Sequence, residues 1–183
     1  EGAVAAKLAN IARHGATLWR CPPTIADREA ERLVRFELEQ LFPDDGVLGE
    51  EEPEKIGTSG RRWIVDPIDG TTNYLYGHPG FAISIAAEID GETVVGVVHD
   101  PLHNDVFTAV RGTGARRNGS PIKVSSETSL AHALVATGFS YEPERRVRQI
   151  AVLSQIIGSI RDIRRMGAAS VDLCSVACGR VDA

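Results

Sequence analysis

Between Trp63 and Tyr74 the chain reads W-I-V-D-P-I-D-G-T-T-N-Y. Three apolar residues of strand type run straight into an aspartate, and a second aspartate follows three positions later. A fold that accepts this segment must bury a strand and leave two carboxylates at its end. Carboxylates held at close range repel, so one takes up a proton or both hold a cation. Pro67 lies between them, has no N–H to donate and bends the chain off the strand, which frees the Ile68 carbonyl as a further oxygen ligand. Gly70-Thr71-Thr72-Asn73 then opens a short helix, whose first amides are unpaired and suit an anion.

A second acidic segment belongs with this one. Val47-Leu48 is a short apolar strand that runs into Gly49-Glu50-Glu51-Glu52. Glu50 therefore reaches the same point from a neighbouring strand end. Carboxylates, a carbonyl and water form an all-oxygen set, which suits Mg²⁺ or Mn²⁺ and not zinc. A cation cluster beside a helix N-terminus is what a phosphate ester needs: cations hold its oxygens and activate a water, and the amides hold the rest. The Thr71 hydroxyl is placed to orient that water, with an aspartate from another element as acceptor. Taken singly, each piece has an ordinary structural explanation. Asp69-Gly70 is a turn signal, Glu50 to Glu52 a solvated acidic loop, and Asp27 a first-turn acid favoured by the helix dipole.

The rest of the chain supplies a frame. Apolar spacing predicts helices over residues 3–20 and about 25–42, the second capped by Thr24. From Phe81 onward the pattern turns to strands, with Asp90-Gly91 and Asn118-Gly119 as hairpin turns. Strands are expected at 81–89, 93–98, 106–110, 122–124 and 133–137, the first four forming an antiparallel meander. Helices follow over 143–158 and 170–178, with Gly179 closing the last. Helices first, a meander next and mixed elements last give a layered α/β or α+β fold, the two early helices packed on the meander.

Composition excludes several classes. A net charge of −5 with no basic stripe argues against nucleic-acid binding. No apolar run approaches a membrane span. Three cysteines without a CxxC pair read as reduced core thiols. With no signal-like segment after Glu1, a cytoplasmic protein is the expectation.

Leu48-Gly49-Glu50-Glu51 together with Asp66-Pro67-Ile68-Asp69-Gly70-Thr71-Thr72-Asn73 resembles the inositol monophosphatase family of Mg²⁺-dependent, lithium-sensitive sugar phosphatases. The likeness runs over nearly the whole chain, from Thr24-Ile25-Ala26-Asp27 through Arg111 to Ala115 and Asn118-Gly119 to Arg165 to Ser170 and Ala177 to Ala183. It implies the αβαβα sugar-phosphatase sandwich, with an N-terminal metal- and phosphate-binding domain over 1–130 and the start of a C-terminal α/β domain over 131–183. It implies Glu50, Asp66, the Ile68 carbonyl and Asp69 as ligands of two or three Mg²⁺, with Mn²⁺ as substitute. Asp27 would accept from Thr71, which with Glu50 would orient the water. Asp69, the amides of Gly70 and Thr71, Thr72, and the backbone of Gly167, Ala168 and Ala169 would face the substrate.

The implied substrate is a sugar or polyol phosphate monoester, inositol 1-phosphate first, and the implied assembly a homodimer. Thr72 favours this choice over histidinol phosphate, since some histidinol-phosphatase relatives carry lysine there. Fructose 1,6-bisphosphate and adenosine bisphosphate are the other candidates. A protein-binding role in the RNA-polymerase machinery, known for some members, is the alternative of another class. Two departures accompany the likeness. The family's Y-Y-E and W-D-x-A-A-G segments, with a substrate glutamate and a metal aspartate, do not occur in these 183 residues, so the second half is expected to be incomplete. The stretch Arg20 to Thr24 has no match for the family's K-S-S-P-like arm.

Overall fold

A computed structural model describes residues 2–16 and 23–183. Helix α1 spans Gly2–Ala16 and α2 Pro23–Leu41. The expected end of the first helix at 17–20 and the Thr24 side chain lie outside what is described. Seven strands then form one sheet in sequential order: β1 Gly46–Leu48, β2 Arg61–Asp69, β3 Ala82–Ile89, β4 Glu92–Asp100, β5 Asp105–Val110, β6 Gly114–Arg117 and β7 Ser120–Pro121. Helix α3, Thr71–Leu75, sits between β2 and β3. A two-stranded sheet pairs β8 (Leu134–Ala136) with β9 (Asp162–Arg164), around α4 (Pro143–Ile156), and α5 covers Ala169–Ala177.

Both hairpin signals hold. Asp90 and Gly91, and Asn118 and Gly119, take positive φ, as a two-residue type I′ turn requires. The second turn is so tight that pairing resumes at once, Arg117 opposite Ser120 and Arg116 opposite Pro121. The closing strand is therefore 120–121; of the expected 122–124, Ile122 still donates to the Ala115 carbonyl at 3.1 Å. The largest correction concerns β2. It does not stop at Val65 but continues through Pro67 to Asp69, with a register shift between Asp66 and Asp69. A bulge is where a sheet tolerates proline, and Pro67 is fully buried there. Sequence reasoning also missed β9 and the parallel pairing of β1 with β2 and of β8 with β9.

Layering follows from strand alternation. Val65, Ile83, Ile85, Val95 and Val97 face α1 and α2, where Leu8, Ile11, Val34 and Leu38 close the main core. The opposite face meets α5 through Ala82, Ala168 and Val171. Helix α5 ends in a Schellman motif: Gly179, at φ 73°, donates to Val176, and Arg180 donates to Ser175. Cys174 is half-buried beside it, and desolvation pushes its thiol up to about 12. Among the described residues no helix is long and apolar enough to cross a membrane.

One buried polar node fixes the start of β2. Asp45 is fully buried and accepts from Trp63 Nε1 at 2.9 Å, Ser59 Oγ at 2.6 Å and Arg61 Nε. Asp45→Ala strands the indole N–H and breaks three bonds, and is expected to cost about 3 kcal/mol in a urea titration. An unchanged midpoint would refute this role.

Candidate active site

β1 and β2 run parallel, so their C-terminal ends emerge side by side. Glu50 follows one end and Asp66 to Asp69 form the other. Helix α2 brings Asp27 to the same place, because Ala26 and Ala30 on its adjoining face pack against Ile68, Tyr74 and Phe81.

The electrostatics confirm that these groups share one field. Burial, then the charges of Glu50, Asp69 and Asp27, push Asp66 up to about 7. Burial, then Glu51 and Glu50, push Asp27 up to about 6. Glu50 is raised by burial and then by Asp69, Glu51 and Glu31. One oxygen each of Asp66 and Asp27 is buried with no hydrogen-bond partner among the described residues. Buried carboxylate oxygens are normally bonded, so these two are free to take a cation. Among the described residues no three His, Cys, Asp or Glu side chains converge tightly enough to enclose an ion. Mg²⁺ does not need such a cage, since it keeps several waters and takes one or two carboxylates. The donor set fits a hard divalent cation on that basis.

The loop after β2 is built by close approach. Gly70 takes φ 95°, and the first turn of α3 follows it directly. The Thr71 hydroxyl donates to the Ile68 carbonyl at 3.0 Å, not to Asp27 as the resemblance implies. Thr71, Asp27 and Glu51 nevertheless line one cavity of about 560 Å³. Asp69 also has a role the sequence did not suggest. Its carboxylate accepts from the amides of Ala169 (3.2 Å) and Ser170 (2.6 Å), so it caps α5 from 100 residues away. The Ala169 amide is thereby engaged by Asp69 and does not point free at a substrate. Gly167 packs on Asn73 so closely that a Cβ there would lie 2.6 Å from Nδ2. Ala168 is fully buried between the sheet and α5.

Asn73 itself was missed. Its Nδ2 lies 3.0, 2.7 and 2.6 Å from the carbonyls of Pro79, Gly80 and Met166, tying the loop before β3 to the entry of α5. The signal was its place at the end of the D-G-T-T-N run. Asn73 also lines a recess of about 400 Å³, bordered with it by Thr72, Gly167, Tyr141, Arg146 and Arg165. Arg165 lies over the Phe139 ring, and Arg146 donates to the carbonyls of Ser140 and Tyr141.

A seven-stranded sheet with α1 and α2 on one face and α5 on the other, its two parallel strands ending in carboxylates, defines a layered α/β class. The chain matches the profile of the Inositol monophosphatase family over residues 20–183, and it belongs to that family. It is 42% identical over 171 residues to inositol-1-monophosphatase of Mycobacterium leprae, covering 88% of this chain and 59% of that protein. It is 41% identical over 161 residues to Nus factor SuhB of Pasteurella multocida, covering 87% of this chain and 60% of that one. The crystal structure of extragenic suppressor protein suhB from Bartonella henselae superposes with a TM-score of 0.91 at 37% identity, over 98% of this chain and 76% of that one. The chain thus spans about three fifths of the length of these curated relatives.

Proposed function

We propose that the protein hydrolyses a phosphate monoester of a sugar or polyol, with inositol 1-phosphate the leading substrate, in an Mg²⁺-dependent reaction. The observation that carries this reading is the inward-facing, unpartnered oxygen of Asp66, set among Glu50, Asp69 and Asp27 at the ends of two parallel strands. Glu50, Asp66 and the Ile68 carbonyl would hold a divalent cation, and Asp69 would adjoin it. Such a cation supplies Lewis acidity, neutralising phosphoryl charge and making water a nucleophile near neutral pH. The amides of Gly70 and Thr71 face the phosphate. The Thr71 hydroxyl orients the attacking water, with Asp27, high enough in pKa to exchange a proton near neutrality, as its acceptor once a substrate draws the two together. The leaving alcohol points toward Thr72 and the arginine-bordered recess. The same reading carries two or three Mg²⁺, Mn²⁺ as substitute and a homodimer.

The recess favours one variation in substrate. Arg165 stacked on Phe139 and Arg146 pinned on two carbonyls are oriented donors for a second anionic group, as in fructose 1,6-bisphosphate. Phosphate release from inositol 1-phosphate, fructose 1,6-bisphosphate and histidinol phosphate, with and without Mg²⁺, tests both choices. Release that ignores Mg²⁺ removal, or no release from any of the three, would sink the enzymatic reading. A relative named as a Nus factor supports the other reading, a non-catalytic protein-binding module. That module would keep its partner contacts when Asp66 is changed to Asn.

A further inference from the structure

Helix α2 presents Asp27, Glu31 and Arg35 at intervals of four residues, one charged stripe along one face. Only Asp27 has a place in the reading above. Glu31 is fully buried, and its partner Arg35 lies 2.7 Å away with 14% of its side chain exposed. A helix that needed this pair only for solubility would turn it outward, and burying it is costly unless every lone pair is used. Here the lone pairs are used on one target. Glu31 accepts from the amides of Glu51 (2.7 Å) and Glu52 (3.2 Å). Arg35 donates to the carbonyls of Glu52 (3.0 Å) and Val47 (3.4 Å). On the near side the Glu31 carboxylate fills the space over Gly49, where a Cβ would come within 2.2 Å of Oε1.

One buried ion pair therefore holds the loop on both sides of Glu50, at Val47 before it and at Glu51 and Glu52 after it, while Glu50 itself stays exposed. We propose that Glu31 and Arg35 are positioning residues that clamp the loop 47–52 so that Glu50 points at the cation site. The clamp rests on the metal reading of that site. It also explains the glycine at 49: a side chain there would push the carboxylate off the amides it holds. Because Asp27 and Glu31 stand one turn apart on a rigid element, the acceptor for Thr71 and the support for Glu50 keep a fixed separation.

The test uses the full chain and Mn²⁺ as probe, read by electron paramagnetic resonance, together with amide hydrogen exchange of the metal-free protein. Glu31→Gln is expected to weaken Mn²⁺ binding about 10-fold or more and to speed exchange at the Glu51 and Glu52 amides. Asp45→Asn is the control: it loosens a buried acid at the opposite, N-terminal ends of β1 and β2, and is expected to lower the melting temperature with Mn²⁺ affinity unchanged. Gly49→Ala is expected to weaken Mn²⁺ binding in the parent and to do so less in Glu31→Ala, where the carboxylate is gone. Glu31→Gln with parental Mn²⁺ affinity, or with a loss matched by Asp45→Asn, would overturn the clamp. If the parent chain itself binds no Mn²⁺, the metal reading fails, and unchanged exchange at Glu51 and Glu52 in Glu31→Gln then separately overturns the clamp.

Discussion

Asp66→Asn is expected to abolish Mg²⁺-dependent phosphate release and, in metal-free buffer near pH 8, to raise the melting temperature by about 5 °C. The two effects share a cause. The folded state lifts Asp66 from 3.8 to about 7, so it holds a proton more tightly than the unfolded chain does. Its contribution to stability is complete below 3.8 and is lost as pH rises through about 7. Above that, a repelled and partly buried carboxylate strains the metal-free fold. Asparagine removes that strain, so parent and variant should converge near pH 4 and separate as pH rises. A weaker slope, ending near 6, persists in the variant through Asp27. Added Mg²⁺ should restore the parent at high pH and leave the variant where it was. A variant less stable than the parent at pH 8 without metal would show that Asp66 is a structural acid with a partner of its own.

Gly80→Ala should damage stability most among single methyl additions near the site. Gly80 takes φ 98°, and a Cβ there would lie 2.3 Å from the Met166 carbonyl oxygen and 3.0 Å from Asn73 Nδ2. Both the backbone conformation and the space are wrong for a side chain, and the obstructing atom is backbone that cannot swing aside. A loss of about 3 kcal/mol or more is expected in urea unfolding. Gly60→Ala is the matched comparison. Gly60 also has positive φ, 77°, but nothing lies within 4 Å of the added Cβ. It should cost about 1 kcal/mol. Equal losses at the two positions would mean that φ alone matters and that the approach of Gly80 to Met166 carries no weight.

Much of this was readable in the chain. Asp-Gly and Asn-Gly mark their hairpins because few other pairs accept two positive φ angles. The early helices show because their apolar residues recur at helical spacing. The acidic run from Asp66 to Asn73 is legible because uncompensated charge at a strand end has few structural excuses. What stayed hidden depends on partners distant in sequence. Three residues such as Asp162–Arg164 carry no periodicity, and become a strand only because β8 lies beside them. Asp69 as the cap of α5 and Asn73 as a stitch to Met166 join points about a hundred residues apart. Glu31 and Arg35 were passed over for a different reason, since charges on a helix ordinarily face water. Their spacing of four from Asp27, beside the apolar stripe of Ala26, Ala30 and Val34, was the one clue to an inward face.

The cap that Asp69 places on α5 has a consequence for the order of events in folding. The two carboxylate oxygens meet amides 100 and 101 positions later. A nascent chain that has emitted the whole meander has its hairpins, all short-range pairings that form early. It does not yet have Ala169 or Ser170 to hold Asp69, nor Met166 to receive Asn73. On the ribosome the sheet thus precedes the docking of α5, and the Asp69 cap and the Asn73 stitch are the late contacts.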